Sequence, residues 1–450
     1  MALIADSPFA RVGGMVNGFD PARAGELDPA TRAMIERRSK VLGPGYKLFY
    51  EKPLHFVRAE GVHLYDADGQ AYLDVYNNVP SIGHCHPRVV EAVSKQLGVL
   101  NTHTRYLYDS IITYSEQLLA TLPAEIEHVM YTCTGSEASD LAMRITRYFT
   151  GGSGFIVTAN AYHGHTTAVS EVSPSMGKNV PLGVGTRLVP APDAYRTEGD
   201  VGAKFAQDVA AAIADMKRHG IKFAGFIADS IFSSDGIYPG PAGFLKEAIE
   251  IVRKEGGLYL ADEVQPGFAR TGDAMWGFQR HGVTPDMVIM GKPMGNGVPI
   301  GAVATRADCV DRFGRETRYF NTFGGNPVSI AAAQAVLDVI RDEGLQENSR
   351  KVGHEMIAGI QALAQKYQAI GDVRGAGLFV GVEFVTDRRS KEPDGALGLK
   401  IVNRLREKRV LISASGVKGN ILKIRPPLPF SSENNKEFLR LLDESLAESL

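Results

Sequence analysis

The chain has few cysteines and no excess of charge of either sign. Its 450 residues include three cysteines, Cys85, Cys133 and Cys309, and no two of them have C-x-x-C spacing. An odd count without that spacing argues against a disulfide framework and a zinc site, and it favours the reducing cytoplasm as the location. The formal net charge of −2 gives no basic field for nucleic acid or for an anionic membrane surface.

Long apolar runs and nucleotide-binding motifs are absent as well. No segment approaches the roughly 20 apolar residues that cross a bilayer, and "MALIADSPFARVGG" at the start lacks the basic region and apolar stretch of a signal peptide. No G-x-G-x-x-G follows the first strand and no P-loop occurs, which argues against a nucleotide-binding oxidoreductase. What remains is an ordinary globular composition, 44% hydrophobic and 22% charged, in a chain long enough for two domains.

Residues 128–305 alternate short apolar runs with longer helical stretches. Because most of these runs are apolar throughout, they are typical of strands buried on both faces of a mainly parallel sheet. The sequence therefore predicts an α/β fold with a seven-stranded sheet, with strands at 128–133, 154–159, 186–191, 223–229, 257–262, 286–291 and 299–305.

The two ends of the chain have different patterns. Residues 55–75 alternate apolar and polar side chains around "DADG", which predicts strands joined by a hairpin. Residues 328–450 predict a smaller α+β domain, with helices at 328–342, 347–366, 395–408 and 432–449, a hairpin at 372–387 and strands at 410–414 and 420–425. We expect residues 1–75 to join this small domain and residues 76–327 to form the large one.

A single lysine follows a predicted strand in "PDMVIMGKPMGNGVPIGAV", residues 285–303. A lysine on a loop is usually a solubilising charge. Lys292, however, comes directly after a buried strand, where desolvation lowers the pKa of an amine and makes it a nucleophile. Ligands of parallel α/β sheets lie at the carboxyl ends of the strands, so we expect Lys292 in a ligand site.

Asp262 ends the preceding predicted strand, and Glu263 follows it. Successive side chains of a strand point to opposite faces, so these two acids face apart. An acid at the position of Asp262 binds a metal, caps the next segment or pairs with a cationic ring nitrogen. Since the strands of Asp262 and Lys292 are consecutive, both groups can reach one site.

Three further segments carry polar groups suited to a flat, phosphorylated ligand. Gly135 and Ser136 begin a helix whose N–H groups and dipole attract a phosphate, with an ordinary serine N-cap as the alternative. In "NAYHGHT", Tyr162 or His163 can stack on a flat ring, unless the segment is a polar loop with one packed tyrosine. Thr322, in "YFNTFGGNP", offers a hydroxyl and open backbone, which also suit a phosphate.

Together these groups call for one ligand with an aldehyde, a ring nitrogen, a flat face and a phosphate. Pyridoxal 5'-phosphate carries all four features. No metal is expected, because in "GHCHP" the residues His84, Cys85 and His86 are too close together to bind one ion.

Five motifs occur in a specific order: "TGSEA" at 134–138, "YHG" at 162–164, "ADEVQPGFARTG" at 261–272, "GKPMGNGVP" at 291–299 and "NTFGGNP" at 321–327. In order and spacing they resemble the class III, pyridoxal-phosphate-dependent aminotransferases of fold type I, from about residue 45 to the end. The resemblance implies that fold, pyridoxal 5'-phosphate as the cofactor, and a homodimer or a dimer of dimers.

The resemblance also implies a role for each matching residue. Lys292 forms the Schiff base with the cofactor and then moves protons, while Asp262 pairs with the protonated pyridine nitrogen. Gln265 lies near the 3-oxygen of the ring, Tyr162 stacks on the ring, and His163 is counted among the cofactor-binding residues.

The cofactor phosphate is implied to be held from two subunits. Gly135 and Ser136 hold it within one subunit, and Thr322 reaches the phosphate of the cofactor bound to the neighbouring subunit.

Two positions depart from the family pattern. Asp229-Ser230 stands where the family usually has Glu-Pro or a similar pair. Many members place an arginine for the substrate α-carboxylate before "PPL"; in "LKIRPPL", Lys423 occupies that position and Arg425 follows two residues later. The usual recognition of an α-amino acid is therefore not predicted.

Within the family, the chain is especially similar to a subgroup that contains ethanolamine-phosphate and phosphohydroxylysine phospho-lyases together with bacterial amine transaminases. The segments that carry this similarity are 77–87, 100–109, 290–297 and 422–428. Arg105 is a candidate to bind a substrate anion, with a structural surface arginine as the alternative. Tyr76 and Lys423 are the other candidates for substrate binding.

The leading hypothesis is an aminotransferase, or transaminase, that moves an amino group from a primary amine or amino acid to a keto acid such as pyruvate. The alternative is a phospho-lyase that acts on ethanolamine phosphate or a similar phosphorylated amine, and a racemase on the same cofactor is a third option. A non-catalytic binding protein would not require Lys292, Asp262 and Ser136 together. We expect small-molecule substrates and no nucleic-acid or membrane partner.

Overall fold

The apolar runs of the sequence form the strands of the structure, a computed structural model that describes residues 15–450. Residues 1–14, where no signal peptide is predicted, lie outside the described residues. The strands are β1 Phe56–Glu60, β2 His63–Asp66, β3 Ala71–Asp74, β4 His128–Thr132, β5 Gly154–Thr158, β6 Thr186–Val189, β7 Phe223–Ala228, β8 Leu258–Asp262, β9 Met287–Met290, β10 Gly301–Thr305, β11 Ile370–Ala376, β12 Phe379–Phe384, β13 Val410–Leu411, β14 Ser413–Ser415 and β15 Ile421–Ile424.

Helices connect these strands and cover the sheets. They are α1 Pro29–Leu42, α2 Pro87–Leu97, α3 Asp109–Leu119, α4 Gly135–Thr150, α5 Thr167–Ser170, α6 Val201–Arg218, α7 Lys246–Lys254, α8 Ala307–Glu316, α9 Pro327–Asp342, α10 Leu345–Lys366, α11 Gly395–Glu407 and α12 Ser432–Ala447. None of the helices in residues 15–450 is long and apolar enough to cross a membrane.

The seven predicted strands of the middle region form one sheet in the order β4-β10-β9-β8-β7-β5-β6. All neighbours pair in parallel except β10, which is antiparallel to both β4 and β9. The prediction of a mainly parallel seven-stranded sheet is confirmed. Because β4 and β9 flank an antiparallel strand, they run in the same direction. The carboxyl ends of β4, β5, β8 and β9 therefore lie along one edge of the sheet, where ligands of such sheets bind.

The central sheet is buried on both faces, as its continuous apolar strands require. Alternate residues of β8 show this: Tyr259 and Ala261 pack into one hydrophobic core, and Leu258 and Leu260 pack into another on the opposite face. A rigid, doubly covered sheet fixes the positions of the polar residues at its edge.

Two smaller sheets hold the ends of the chain together around a core of their own. One has the order β11-β12-β15-β14, and the other has the order β1-β2-β3-β13, in which β13 lies parallel to β3. The N-terminal strands and the C-terminal strands thus share a sheet. The division of the chain at 75/76 and 327/328 stays a prediction.

The predicted strand at 410–414 is divided between the two smaller sheets. The break falls at Ile412, whose backbone N–H and C=O both bond the buried hydroxyl of Tyr50, at 3.1 and 2.9 Å. Because the N–H and C=O of Ile412 are bonded to a side chain, they form no strand–strand hydrogen bonds. Val410–Leu411 therefore pairs with β3, and Ser413–Ser415 pairs with β15.

Candidate active site

Lys292 follows β9 after one residue, Gly291, and begins a 3-10 turn, Lys292–Gly295. The backbone of Lys292 has a φ of 23°, in the left-handed region that non-glycine residues rarely adopt. Residues strained in this way concentrate at functional sites. Burial of the amine, followed by the nearby charge of Arg425, lowers the pKa of Lys292 to about 8. A larger fraction of this amine is therefore unprotonated at neutral pH than in a surface lysine.

Asp262, the last residue of β8, forms a buried hydrogen bond with His163. The carboxylate Oδ2 lies 2.6 Å from the imidazole Nδ1, and Oδ1 accepts a bond from the backbone N–H of Val264 at 3.1 Å. The other imidazole nitrogen, Nε2, is buried and has no partner among residues 15–450. Because both oxygens have donors, the negative charge of Asp262 is held in a fixed position.

Glu263 points away from Asp262, as the alternation of a strand predicts. Its buried carboxyl group accepts bonds from the backbone N–H groups of Gly277 at 2.7 Å and Phe278 at 2.9 Å, and from Ser230 Oγ at 3.1 Å. Burial raises the pKa of Glu263 to about 8, although these three bonds oppose the rise. Ser230, one of the departures from the family pattern, thus anchors the end of β8. A proline at that position has no hydroxyl to donate.

The start of α4 is open to a ligand because its N-cap is Thr134 and not Ser136. The Thr134 side chain accepts the backbone N–H of Glu137 at 3.1 Å, which excludes the N-cap alternative for Ser136. Ser136 Oγ instead accepts the backbone N–H of His165 at 3.2 Å. Gly164 allows this contact: its φ is 139°, and a Cβ there would lie 2.7 to 2.9 Å from atoms of Ser136.

These groups surround one cavity of about 100 Å³. It is lined by Gly135, Ser136, Tyr162, His163, Gly164, Asp262, Val264, Gln265 and Lys292. The structure therefore brings together every predicted catalytic and cofactor-binding residue except Thr322. Their individual roles stay predictions.

Gln265 links the cavity wall to two residues behind it. Its Nε2 donates to Ser233 Oγ at 2.6 Å, and its Oε1 accepts a bond from Arg425 Nη1. Ser233 was not among the predicted site residues, because nothing in the local sequence indicates this contact across 32 residues.

The predicted substrate residues Tyr76 and Lys423 do not line the cavity; they contact Arg425 and Ser233, the two partners of Gln265. Lys423 is buried, and its Nζ donates to the carbonyl oxygen of Ser233 at 3.0 Å. Burial, and then the charge of Arg425, lower the pKa of Lys423 well below its usual value. The Tyr76 ring lies under the guanidinium of Arg425, 4.4 Å from its central carbon.

Arg105 and Thr322 are not in this cavity. Both are exposed, and the Arg105 guanidinium stacks on the Phe320 ring at 3.8 Å. Arg105 and Phe320 line a separate groove of about 540 Å³ beside α3. A single chain therefore does not bring Arg105 or Thr322 to Lys292.

Comparison with known sequences places this arrangement in a family. A sequence model of the family described as "Aminotransferase class-III" matches residues 49–446. The chain belongs to the class III aminotransferases. It is 40% identical over 420 residues to the alanine–glyoxylate aminotransferase 2-like protein of Drosophila melanogaster, which covers 90% of this chain and 85% of that protein.

Solved structures of class III aminotransferases and of a phospholyase share the fold. A phospholyase from Arthrobacter in complex with phosphoethanolamine is 42% identical, with a TM-score of 0.89, over 92% of this chain and 99% of that one. An amine transaminase from an uncultivated Pseudomonas species, in its pyridoxal-phosphate-bound form, is 27% identical with a TM-score of 0.82, over 89% of this chain and 96% of that one. The resemblance to this family and to its subgroup of phospho-lyases and transaminases is confirmed.

This class III aminotransferase is an enzyme with pyridoxal 5'-phosphate as its cofactor. The residues of the cavity fit that group. Lys292 offers an amine of lowered pKa for the aldehyde, and the buried carboxylate of Asp262 suits a protonated ring nitrogen. Gly135 and Ser136, at the N-terminus of α4, line the cavity, and a phosphate is favourable at a helix N-terminus.

Proposed function

We propose that this enzyme is an aminotransferase that moves an amino group from a primary amine or amino acid to a keto acid such as pyruvate. The observation that carries the proposal is the position of Lys292, with its lowered pKa, in one cavity with the Asp262–His163 pair. The family supports the transamination chemistry, and one relative is named an aminotransferase.

When bound, pyridoxal phosphate supplies an aldehyde that captures the amine and a ring that accepts electron density from the substrate carbon. Gly135 and Ser136 would hold its phosphate, Tyr162 would cover the ring, and Gln265 would lie along its edge. Asp262 would hold a proton on the ring nitrogen, because a buried carboxylate next to a cation raises the pKa of that cation.

Lys292 would act as the proton-transfer group of the reaction. A lysine whose pKa is about 8 is partly neutral near neutral pH, so it can accept the proton from the substrate carbon. Because Lys292 lines the cavity, the same amine would be placed to return that proton. His163 has one nitrogen bound to Asp262 and therefore keeps that carboxylate oriented.

We propose a homodimer as the active assembly, located in the cytoplasm. Thr322 is exposed and lies outside its own chain's cavity, as a residue that serves a neighbouring subunit must. Two large apolar side chains in the same parts of the chain are also exposed. Phe323, next to Thr322, is 69% exposed, and Leu107, two residues after Arg105, is 97% exposed. The three cysteines are unpaired, which supports a reducing compartment.

An absorption spectrum of the holoenzyme tests the proposed reaction. The enzyme is mixed with isopropylamine, L-alanine or phosphoethanolamine in the absence of a keto acid. We expect at least one amine to convert the cofactor to its stable aminated form, and pyruvate to reverse the change. A K292A variant that sustained full turnover would contradict the proposal.

A second candidate is a phospho-lyase that releases phosphate from ethanolamine phosphate or a similar phosphorylated amine. It is favoured by the 42% identity to the Arthrobacter phospholyase in complex with phosphoethanolamine. It is also favoured by the buried basic side chains Lys423 and Arg425, because a phosphate dianion would offset the charge of Arg425, which together with burial lowers the pKa of Lys423. Release of inorganic phosphate from phosphoethanolamine without a keto acid would identify this reaction. The absence of such release would exclude it.

A further inference from the structure

Asp235 is a buried carboxylate at the active-site edge of the central sheet, and the proposed reaction does not use it. Only 6% of its surface is exposed. Its Oδ2 accepts a bond from Thr158 Oγ1 at 2.6 Å, and its Oδ1 accepts the backbone N–H of Asn160 at 2.9 Å. Thr158 is the last residue of β5. Both contacts therefore lie where this strand passes into the loop that carries Tyr162 and His163.

The two donors to Asp235 are neutral groups. Burial raises the pKa of Asp235 to about 6, although its bonds to Thr158 and Asn160 oppose the rise. The carboxyl group is therefore mostly ionised at neutral pH, and its two hydrogen bonds are charge-assisted and strong. Burying a charge is costly, and a small neutral residue would avoid that cost. The contacts with the start of the loop are what Asp235 contributes in return.

The segment that carries Asp235, residues 233–237, is itself anchored from another sheet. Arg374 of β11 donates to the carbonyl oxygen of Gly236 at 2.7 Å and to that of Ile237 at 2.7 Å. These two bonds flank Asp235 on its C-terminal side. Asp235 is therefore a fixed point from which the loop after β5 can be held.

Asn160 adds a third bond between the loop and this segment. Its side-chain Nδ2 donates to the carbonyl oxygen of Ser234 at 2.7 Å, while its backbone N–H donates to Asp235. The first residues of the loop are thus bound to residues 233–237 through both the side chain and the backbone of Asn160.

The far end of the loop is held by other groups. The backbone N–H of His163 donates to Ser173 Oγ at 3.1 Å, and its carbonyl oxygen accepts a bond from Ser139 Oγ at 2.8 Å. Tyr162 lies between these anchors and those at Asp235. Its side chain is 38% exposed, so packing fixes the ring only in part. The direction of the Tyr162 ring therefore depends on how the backbone of the loop is held at both ends.

We propose that Asp235 is a positioning residue, which holds the start of the loop after β5 so that Tyr162 and His163 face the cofactor ring. Side chains that contact a cofactor bind it well only when their supports are rigid. This inference rests on the proposed cofactor-binding roles of Tyr162 and His163, and it holds for transamination and phosphate release alike.

Two variants separate the contacts of Asp235 from its charge. D235A removes both hydrogen bonds. D235N removes the charge but can keep both bonds, because its amide oxygen accepts the N–H of Asn160 and its NH2 group donates to the hydroxyl oxygen of Thr158. D200A is the matched control. Asp200 also accepts two backbone N–H groups, at 2.8 and 3.1 Å, but it does so at the start of α6 and does not line the cavity.

Hydrogen exchange of the full-length enzyme with saturating pyridoxal phosphate tests the contacts directly. We expect the backbone amides of residues 159–165 to exchange about tenfold faster in D235A, because two buried donors lose their acceptor. In D235N and D200A the same amides should stay within about threefold of wild type. Acceleration of the same size in β4 would show that Asp235 supports only overall stability, and it would overturn the inference.

Binding of the cofactor tests the consequence. We expect D235A to raise the dissociation constant of pyridoxal phosphate about tenfold and to change the visible circular dichroism of the bound cofactor, which reports the asymmetric surroundings of its ring. D235N and D200A should match wild type in both measurements. An unchanged constant and spectrum in D235A would overturn the inference. So would an effect of D235N as large as that of D235A, because the charge would then act and not the contacts.

A second variant keeps the test decisive if D235A does not fold. T158V removes one of the two contacts of Asp235 and keeps the size of the side chain. A rise of about threefold in the exchange of residues 159–165 would support the inference, and no rise would overturn it. None of these measurements involves turnover. If they give the expected results while no amine converts the cofactor to its aminated form, the role of Asp235 stands and the proposed transamination is rejected.

Discussion

His163 and Asp262 lie 99 residues apart in the chain and form a hydrogen bond of 2.6 Å between Nδ1 and Oδ2. The contact joins the loop after β5 to the end of β8, so it crosses the active-site edge of the central sheet. Within residues 15–450 the second imidazole nitrogen, Nε2, has no partner, whereas both oxygens of the carboxylate have donors. The carboxylate of Asp262 is therefore oriented by contacts of the fold.

We predict that D262N lowers the rate of the amine half-reaction by about 100-fold or more, because a neutral amide cannot stabilise a protonated ring nitrogen. The measurement is a single-turnover absorbance trace with a saturating amine. E263Q is the control: Glu263 faces away and is held by Gly277, Phe278 and Ser230. It should reduce stability but leave the rate within about threefold. Equal rates in D262N and wild type would contradict the assigned role.

The lowered pKa of Lys292 makes a prediction about pH. The reactive form of the amine is unprotonated, and its folded-state pKa is about 8 instead of the usual 10.5. The rate at which the apoenzyme combines with pyridoxal phosphate should rise about tenfold per pH unit below pH 8 and level off above it. R425M should move the midpoint upward, since Arg425 is the second cause of the lowered pKa. K292A, which lacks the reacting amine, is the control and should show no reaction. A midpoint of the wild-type rate–pH profile near pH 10 would refute the prediction.

The strands of the central sheet could be predicted because each one is indicated by the residues of its own short segment. Continuous apolar runs such as 223–229 and 286–291 indicate buried strands by themselves, and all seven predicted strands lie in the central sheet. The strand at 410–414 was predicted as one piece because the group that breaks it, the hydroxyl of Tyr50, is 362 residues away. Local patterns do not contain such contacts.

The same limit applies to the active site. Residues at the carboxyl ends of parallel strands, such as Lys292 and Asp262, could be placed in one cavity because topology alone brings them together. The contact of Arg425 with Gln265 spans 160 residues and two sheets, and no spacing rule predicts it. The available signal was the spacing of Lys423 and Arg425. Residues two apart along a strand share one face, so the spacing predicts Arg425 on the same side as Lys423.

We predict that G164A weakens cofactor binding and lowers the free energy of unfolding by roughly 1–3 kcal/mol. A Cβ at Gly164 would lie 2.7 to 2.9 Å from atoms of Ser136, so the loop or the start of α4 must shift. G177A is the matched control, because Gly177 also has a positive φ, of 93°, but has nothing within 4 Å of an added Cβ. Thermal unfolding and the cofactor dissociation constant are measured for both variants. If both lose cofactor equally, the contact with Ser136 is not the cause.

The proposed role of Thr322 can be tested with mixed subunits. If Thr322 serves the cofactor of the partner subunit, then a dimer of one K292A chain and one T322A chain has one intact site: the T322A chain supplies Lys292, and the K292A chain supplies Thr322. T322A alone should bind the cofactor more weakly, because it lacks one donor to the phosphate. The two variants are unfolded together, refolded, and assayed at limiting cofactor, with each variant refolded alone as the control. Recovered activity is expected only in the mixture. If Thr322 instead acted within its own chain, no mixed site would be intact and the mixture would stay at the level of T322A.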